Sequence, residues 1–118
     1  MNTYRDLIVW QKSKELVVEI YRLTDKFPKS EIYGLTSQIR RAAVSVPSNI
    51  AEGKLRNSSR EQRKFLLIAF GSGGELETQI EIAKDLGFGK DLDYLVAENL
   101  LGEVMKMLNK MVSQLSGV

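Results

Sequence analysis

The residue types that most often perform chemistry in proteins are scarce in this sequence. Its 118 residues include no cysteine and no histidine, which excludes disulfides, thiol catalysis, thiolate metal sites and the commonest general base. Carboxylates, hydroxyls, amides and basic side chains remain, and several of them recur in regular patterns. We therefore expect a protein without catalytic residues, metal or other cofactor, unless carboxylates alone build a site.

An acidic series is the pattern closest to an active site. Glu77, Glu81 and Asp85 are spaced four residues apart and would share one helix face. Because carboxylates alone can hold Mg²⁺, a magnesium-dependent nucleotide hydrolase is a remote alternative. Its carboxylates would be Glu52, Glu75, Glu77 and Glu81. The simpler interpretation is a solvated acidic stripe, or one that meets a basic neighbour.

The run Gly71-Ser72-Gly73-Gly74 has only a superficial likeness to a phosphate-binding loop. A Walker loop needs a lysine and a Ser or Thr after its glycines, and a preceding strand, and the sequence offers neither here. Each glycine inside a helix costs about 1 kcal/mol relative to alanine. We therefore expect another backbone to approach this segment closely, from within the fold or from another subunit.

A polar stripe in the second quarter of the chain has the most informative spacing. Arg41, Ser45, Ser48 and Glu52 follow one another at intervals of 4, 3 and 4 residues, and Asn49 lies close to the apolar face. A buried polar group without a partner costs about 1–3 kcal/mol. The stripe is therefore a structural hydrogen-bond network, within the chain or at a subunit interface, or else a ligand site.

Basic residues concentrate around the sequence Asn57-Ser58-Ser59. They are Arg40, Lys54, Arg56, Arg60, Arg63 and Lys64. Residues 31–64 carry a net charge of +4, whereas residues 65–118 carry −4. The cluster is suited to neutralising the phosphates of RNA or DNA without reading their sequence. Alternatively, it complements the acidic surface of a neighbouring subunit or another protein.

These patterns must be positioned by helices, because apolar residues recur at intervals of three and four along most of the chain. Four segments are predicted, at about 7–26, 31–54, 59–86 and 92–115. The core side of the third is predicted to be Phe65, Ile68, Ala69, Leu76, Ile80, Ala83 and Leu86. Short connections between long helices predict an all-α, antiparallel up-down-up-down four-helix bundle, a single domain over residues 1–118.

Residues at the segment ends support these boundaries. Ser30 is a candidate cap for the second helix, Ser58 with Glu61 and Ser59 with Gln62 are both candidate capping boxes for the third, and Gly87 suits its C-terminal end. Pro47 lies well inside the second helix. We expect a kink there and not a break, because the apolar stripe continues in phase on both sides.

Three strings carry a resemblance to a known family. They are DLIVWQKSKEL (residues 6–16), GLTSQIRRAAVSVPSNIAEG (34–53) and GSGGELETQ (71–79). Over nearly its whole length the chain resembles the four-helix bundle proteins encoded in intervening sequences of bacterial 23S ribosomal RNA genes. The resemblance implies an antiparallel bundle assembled as a ring-like homopentamer, with no described catalytic residues.

A related branch of that family is the accessory protein of diversity-generating retroelements. The resemblance to this branch implies a basic pentameric barrel that binds nucleic acid and partners a reverse transcriptase. The acidic second half of this chain makes it less basic than such a role implies. The pentamer is the better supported implication, because contacts between subunits would account for both the polar stripe and the separation of charge.

The expected function is therefore assembly and binding. We expect a non-enzymatic homo-oligomer that binds RNA or DNA non-specifically, with a structural or adaptor oligomer that binds a protein partner as the alternative. No apolar run approaches the roughly 20 residues that cross a bilayer, and the first residues lack the order of a signal peptide. These features predict a cytoplasmic protein without a membrane partner.

Overall fold

The structure, a computed structural model, describes residues 3–115 and consists of four helices. They are α1 (Ile8–Thr24), α2 (Leu35–Leu55), α3 (Ser59–Asp85) and α4 (Asp91–Gln114), with short 3₁₀ turns at Tyr4–Asp6 and Lys29–Glu31. The described part of the chain contains no strand, which confirms the predicted all-α class. Residues 1–2 and 116–118 of the predicted domain lie outside the described residues.

The second helix begins four residues later than predicted. Ser30 does not cap it, because the chain first makes a 3₁₀ turn after Pro28 and then passes through Gly34. Instead, the Glu31 carboxylate accepts a hydrogen bond from the Leu35 backbone N–H at 3.1 Å. The helix then continues without a break across the buried Pro47, so the segment is not split there.

The third helix has the ends that its sequence predicts. The Ser58 hydroxyl accepts a hydrogen bond from the Glu61 backbone N–H at 3.1 Å. At the other end Gly87 has a φ of +78°, which glycine adopts without steric cost. Its N–H donates to the Lys84 carbonyl and the Phe88 N–H donates to the Ala83 carbonyl, the pair of bonds that defines a Schellman motif.

Contacts between the helices run in opposite chain directions. The pairs are Lys12–Glu103 and Lys26–Asp93 between α1 and α4, Ser45–Ser72 and Gly53–Phe65 between α2 and α3, and Arg63–Val112 and Lys84–Glu98 between α3 and α4. Within each pair of helices, the residue number on the second helix decreases as the residue number on the first increases. Sequence neighbours are therefore antiparallel, and α1 closes the bundle against α4.

This topology gives the bundle two distinct ends. The α2–α3 end contains the connection 56–58, the start of α1 and the end of α4. The α3–α4 end contains the connection 86–90 and the end of α1. Each half of the bundle has its own cluster of buried apolar residues, one around Ile50 and Leu108 and the other around Ile39 and Leu76.

The buried face of α3 differs partly from the predicted one. Phe65 is partly buried against Gly53 of α2, whereas Ile68 and Leu86 are 43% and 58% exposed, so the predictions for Ile68 and Leu86 are wrong. The buried positions are Leu66, Ala69, Gly73, Leu76, Gln79, Ile80 and Ala83. Apart from Gln79, these residues are spaced alternately three and four apart, starting at Leu66. The predicted set combined residues of this face with residues of the adjacent face of the helix.

The helices also bear on the expectation about membranes. Between residues 3 and 115, no helix is apolar over enough of its length to cross a bilayer.

Candidate nucleic-acid interface

Part of the polar stripe on α2 forms hydrogen bonds to α3. The hydroxyls of Ser45 and Ser72 lie 2.8 Å apart, and the Asn49 amide donates to the Ser45 carbonyl at 2.8 Å and to its hydroxyl at 3.0 Å. The Ser45 hydroxyl oxygen thus accepts from Asn49 and shares a second hydrogen bond with Ser72, in which either hydroxyl can donate. These three side chains join α2 to α3 at mid-bundle.

The remaining residues of the stripe point elsewhere. Arg41 and Ser48 are exposed, and the Glu52 carboxylate accepts a bond from Arg56 at 2.7 Å. Arg41 borders a groove of about 360 Å³ between α2 and α3, which is also lined by Gln79. Gln79 is buried and its side-chain oxygen has no hydrogen-bond partner among the described residues, a feature that helical spacing alone did not suggest.

The acidic residues of the hydrolase alternative do not converge. In the α2–α3 pairing Gly53 meets Phe65, so Glu52 lies about ten residues, or roughly 15 Å along the helix, from Glu75. Glu75 borders the groove between α2 and α3, whereas Glu77 borders a groove between α3 and α4. The two side chains diverge because a separation of two residues corresponds to a rotation of about 200° around a helix. Within residues 3–115, no three acidic side chains are arranged to hold a metal ion.

Five basic residues lie together at the α2–α3 end, and we call them the basic corner. They are Lys54, Arg56, Arg60, Arg63 and Lys64. The antiparallel turn between α2 and α3 brings the last turn of one helix beside the first two turns of the other. Arg56, Arg60 and Lys64 are exposed. Among residues 3–115, Arg56 alone of the five forms an ion pair, with Glu52.

Arg40 does not belong to this corner. It precedes Lys54 by 14 residues on α2, which corresponds to about 21 Å along the helix. Its guanidinium donates to the Thr24 hydroxyl at 2.8 Å and to Asp25 at 3.1 Å, and lies 4.4 Å from the centre of the Tyr21 ring. Arg40 therefore ties α2 to the end of α1, and its side chain is only 19% exposed.

Arg63 has a structural contact as well as a place in the corner. Its Nε donates to the Val112 carbonyl at 3.2 Å, in the last turn of α4, where carbonyls lack partners within the helix. A cation there also interacts favourably with the helix dipole. Arg60 and Lys64 are therefore better placed than Arg63 to contact a ligand.

The fold adds basic residues that sequence reasoning did not include. Lys106 and Lys110 are exposed on the last turns of α4, and Arg5 is exposed just before α1. All three lie at the α2–α3 end because α1 starts there and α4 ends there. They are more than 40 residues from the basic corner in sequence, and only the direction of each helix brings them to the same end.

The opposite end of the bundle carries charges of both signs. Acidic residues around the connection 86–90 are Glu81, Asp85, Asp91, Asp93 and Glu98. Asp93 accepts bonds from the Lys26 ammonium at 2.9 Å and from the Lys90 backbone N–H at 2.9 Å, and these lower the pKa of its carboxyl group. Lys26, Lys84 and Lys90 lie among these acids, and Lys84 pairs with Glu98 at 2.7 Å. The bundle, 44 Å long, is therefore basic at one end and mixed in charge at the other.

Comparison with known proteins identifies the family. The family model described as the 23S rRNA-intervening sequence protein matches residues 5–110. The chain belongs to the 23S rRNA-intervening sequence protein family. This confirms the resemblance carried by residues 6–16, 34–53 and 71–79. No curated protein matches the chain.

A solved structure shows the same fold as this family member. It is the 1.70 Å crystal structure of a protein of unknown function from the S23 ribosomal protein family of Bacteroides thetaiotaomicron VPI-5482. The similarity has a TM-score of 0.79 at 24% identity and covers 89% of this chain and 98% of that chain. At that level of identity the similarity extends to the fold alone.

Proposed function

We propose that this member of the 23S rRNA-intervening sequence protein family is a non-enzymatic, self-assembling helical bundle that binds RNA or DNA through the basic corner. The observation that carries the proposal is the charge at the α2–α3 end. Five cations lie together there, and among the described residues only Arg56 is engaged by a carboxylate. The proposal places the protein in the cytoplasm, together with the nucleic acid.

Phosphates are the ligand that this arrangement suits best. Lys and Arg side chains that neutralise phosphates release condensed counterions, so affinity falls steeply with salt. Arg60 and Lys64 lie on the same face of α3, one turn apart, and both are exposed. Because phosphates are the same in every sequence, binding of this kind does not discriminate between sequences.

The proposal is tested by measuring binding to labelled RNA and DNA by fluorescence anisotropy at several salt concentrations. We expect log K to fall linearly with log salt, with a slope of about −0.9 per neutralised phosphate on duplex DNA. Lys64→Ala and Arg60→Ala should each weaken binding to all sequences alike and reduce the slope by about 1.

Lys29→Ala is the matched control. Lys29 is an exposed lysine in the 3₁₀ turn at the α3–α4 end, so its loss removes the same charge far from the basic corner. It should leave affinity and slope close to those of the unaltered chain. A flat salt dependence, or no binding at low salt, would refute the proposed function.

Self-assembly is part of the same proposal. The family resemblance implies a homopentamer. Gly71 and Gly74 support contact with another chain, because they lie inside α3 and an added Cβ would meet nothing within 4 Å. Their cost of about 1 kcal/mol each in helix propensity is therefore not offset within residues 3–115.

A second candidate function, an adaptor for another protein such as a reverse transcriptase, is favoured by an apolar patch. Tyr21, Ile32 and Val44 line one groove beside α2 and are all more than 40% exposed, and Tyr33, which follows Ile32 in the chain, is 96% exposed. Exposed tyrosines and aliphatic residues of this kind are common at protein interfaces. An adaptor would bind its partner equally well after Lys64→Ala and would lose affinity after Tyr33→Ser.

A further inference from the structure

Aromatic side chains at the α2–α3 end are paired with cations. The Phe65 ring lies 4.8 Å from the Arg56 guanidinium and 6.0 Å from the Lys64 ammonium. At the start of the chain, the Tyr4 and Trp10 rings pack edge to face with centres 5.2 Å apart. Neither aromatic group is needed to complete the phosphate-binding corner, so each calls for a separate explanation.

Phe65 and Arg56 form a cation–π pair that is held in place from two sides. The Glu52 carboxylate accepts the Arg56 Nη2–H at 2.7 Å, which limits the guanidinium's rotation. Gly53 allows the close approach of Phe65, since a Cβ at that glycine would lie 3.0 Å from the Phe65 Cβ. The result is a guanidinium of the basic corner held 4.8 Å from the centre of a partly buried aromatic ring.

Tyr4 and Trp10 form a second aromatic surface with its own cations. The Arg5 guanidinium lies 4.8 Å from the Tyr4 ring centre, and the Lys14 ammonium lies 4.8 Å from the Trp10 ring centre. Trp10 also packs against the apolar cluster of this half of the bundle, which holds its ring in place. Both tyrosine and tryptophan rings are partly exposed.

The two aromatic surfaces flank the same helix. The 3₁₀ turn that carries Tyr4 contacts α1 and α2, and Phe65 contacts Gly53 near the end of α2. Neighbouring helices in bundles lie 8–10 Å apart, roughly. The two surfaces therefore lie on elements that both pack against α2, at the end of the bundle that carries the basic corner.

Unpaired nucleobases are the ligand that matches aromatic rings set among cations. In a duplex the faces of the bases are covered by stacking, whereas a single strand can place them on aromatic rings or on arginine planes. Such stacking does not depend on base identity because every base has a π-face. The lysines and arginines beside the rings would hold the backbone between stacked bases.

We propose that the α2–α3 end selects single-stranded over duplex nucleic acid, by stacking unpaired bases on Phe65–Arg56 and on Tyr4–Trp10. This inference rests on the proposed function, because the basic corner supplies the contacts to phosphate. To the proposed function it adds that the bound nucleic acid is single-stranded and that these aromatic side chains determine the preference.

Trp10 provides a direct test, because it is the single tryptophan of the chain. The unaltered protein is titrated with a mixed-sequence DNA strand of about 20 nucleotides, long enough for several stacking contacts, and with the corresponding duplex. The single strand should quench Trp10 emission and bind at least about 5-fold more tightly than the duplex, while the duplex leaves the emission unchanged.

Phe65→Leu tests the other surface, because leucine keeps apolar contact with Gly53 but removes the ring. It should weaken single-strand binding by about 5-fold and leave duplex binding and the salt slope unchanged. Tyr21→Leu is the matched control, since Tyr21 forms an equivalent pair with Arg40 at 4.4 Å but lies at the other end of the bundle. It should leave both affinities unchanged.

The outcomes separate this inference from the proposed function. Equal affinity for single strand and duplex, with unquenched Trp10, would overturn the single-strand preference and leave phosphate binding standing. Failure to bind either form at low salt would overturn both. If Phe65→Leu loses helical circular dichroism, the Trp10 titration of the unaltered chain decides the question.

Discussion

At the scale of single residues, Tyr94 shows how one buried hydroxyl joins a connection to a helix. Its side chain is buried near the start of α4, and its hydroxyl donates to the Phe88 carbonyl in the connection 86–90. The ring packs against Phe27 with centres 6.3 Å apart. Burial, followed by the nearby acidic charges of Asp93 and Glu98, raises the pKa of Tyr94 from 10.0 to about 12.

We predict that Tyr94→Phe lowers the free energy of unfolding at neutral pH by about 1 kcal/mol, because the Phe88 carbonyl loses its hydrogen-bond partner. The measurement is urea denaturation followed by circular dichroism. Phenylalanine preserves the packing against Phe27, so a loss well above this value would mean that the ring itself had moved.

The same pair of proteins gives a prediction for alkaline pH. Because the folded pKa lies above the ordinary value of 10.0, the hydroxyl's contribution is fully present below pH 10 and is lost as pH rises through about 12. The advantage over Tyr94→Phe should therefore shrink across that range. A constant difference between pH 9 and 12 would contradict the assigned pKa.

At the scale of helices, the glycines of α3 have different surroundings. A Cβ on Gly73 would lie 2.3 Å from the Met105 Sδ of α4, whereas a Cβ on Gly71 or Gly74 would meet nothing within 4 Å. Gly73 therefore permits the close packing of α3 on α4. The sequence predicted that another backbone approaches this segment closely. The structure shows a close approach at Gly73, but the approaching group is the Met105 side chain.

We predict that alanine at Gly73 and at Gly102 will have different effects on the free energy of unfolding. Gly102 is an exposed position of α4 with open space around it, so Gly102→Ala should stabilise by up to about 1 kcal/mol through helix propensity. Gly73→Ala gains the same propensity but displaces Met105 from its packing. It should be less stable than Gly102→Ala by about 1 kcal/mol or more, and equal gains would contradict this account.

At the scale of the whole molecule, charge and apolar surface are segregated. The basic corner lies at the α2–α3 end, whereas acidic residues and lysines alternate around the connection 86–90 at the other end. Exposed apolar side chains also line α1 and the first turns of α4, namely Val18, Leu92, Leu95 and Val96, with Leu92 at 82% exposure. A second copy of the chain that covered this face would remove it from water.

For the proposed self-assembly, we predict a particle with five times the mass of one chain by native mass spectrometry. Val96→Glu should lower that mass, because a charge placed in an apolar contact is costly to bury. Its fold should persist because Val96 is half-exposed within one chain. Lys29→Glu is the control at a position outside this face. A monomeric unaltered chain would refute the assembly, and an unchanged mass for Val96→Glu would exclude this face.

Sequence reasoning was most accurate where a single helix or turn decides the outcome. Ser58 and Gly87 perform their predicted roles because a cap depends on residues within one turn of it. Ser30 failed as a cap because Glu31 reaches the same helix start from an intervening 3₁₀ turn. On α3, adjacent apolar residues at 65 and 66 offered two phases, and packing against the other helices selected Leu66.

By itself, the sequence determined that this protein is helical, that it has four helices and that it lacks thiol and imidazole chemistry. Periodicity, caps and composition are local properties, so no partner helix is needed to read them. Only the tertiary structure separated Arg40 from the basic corner, dispersed the acidic residues and placed Tyr4, Trp10 and Phe65 on either side of one helix. These outcomes depend on the direction and rotation of each helix against its neighbours, which side-chain packing across the whole core decides.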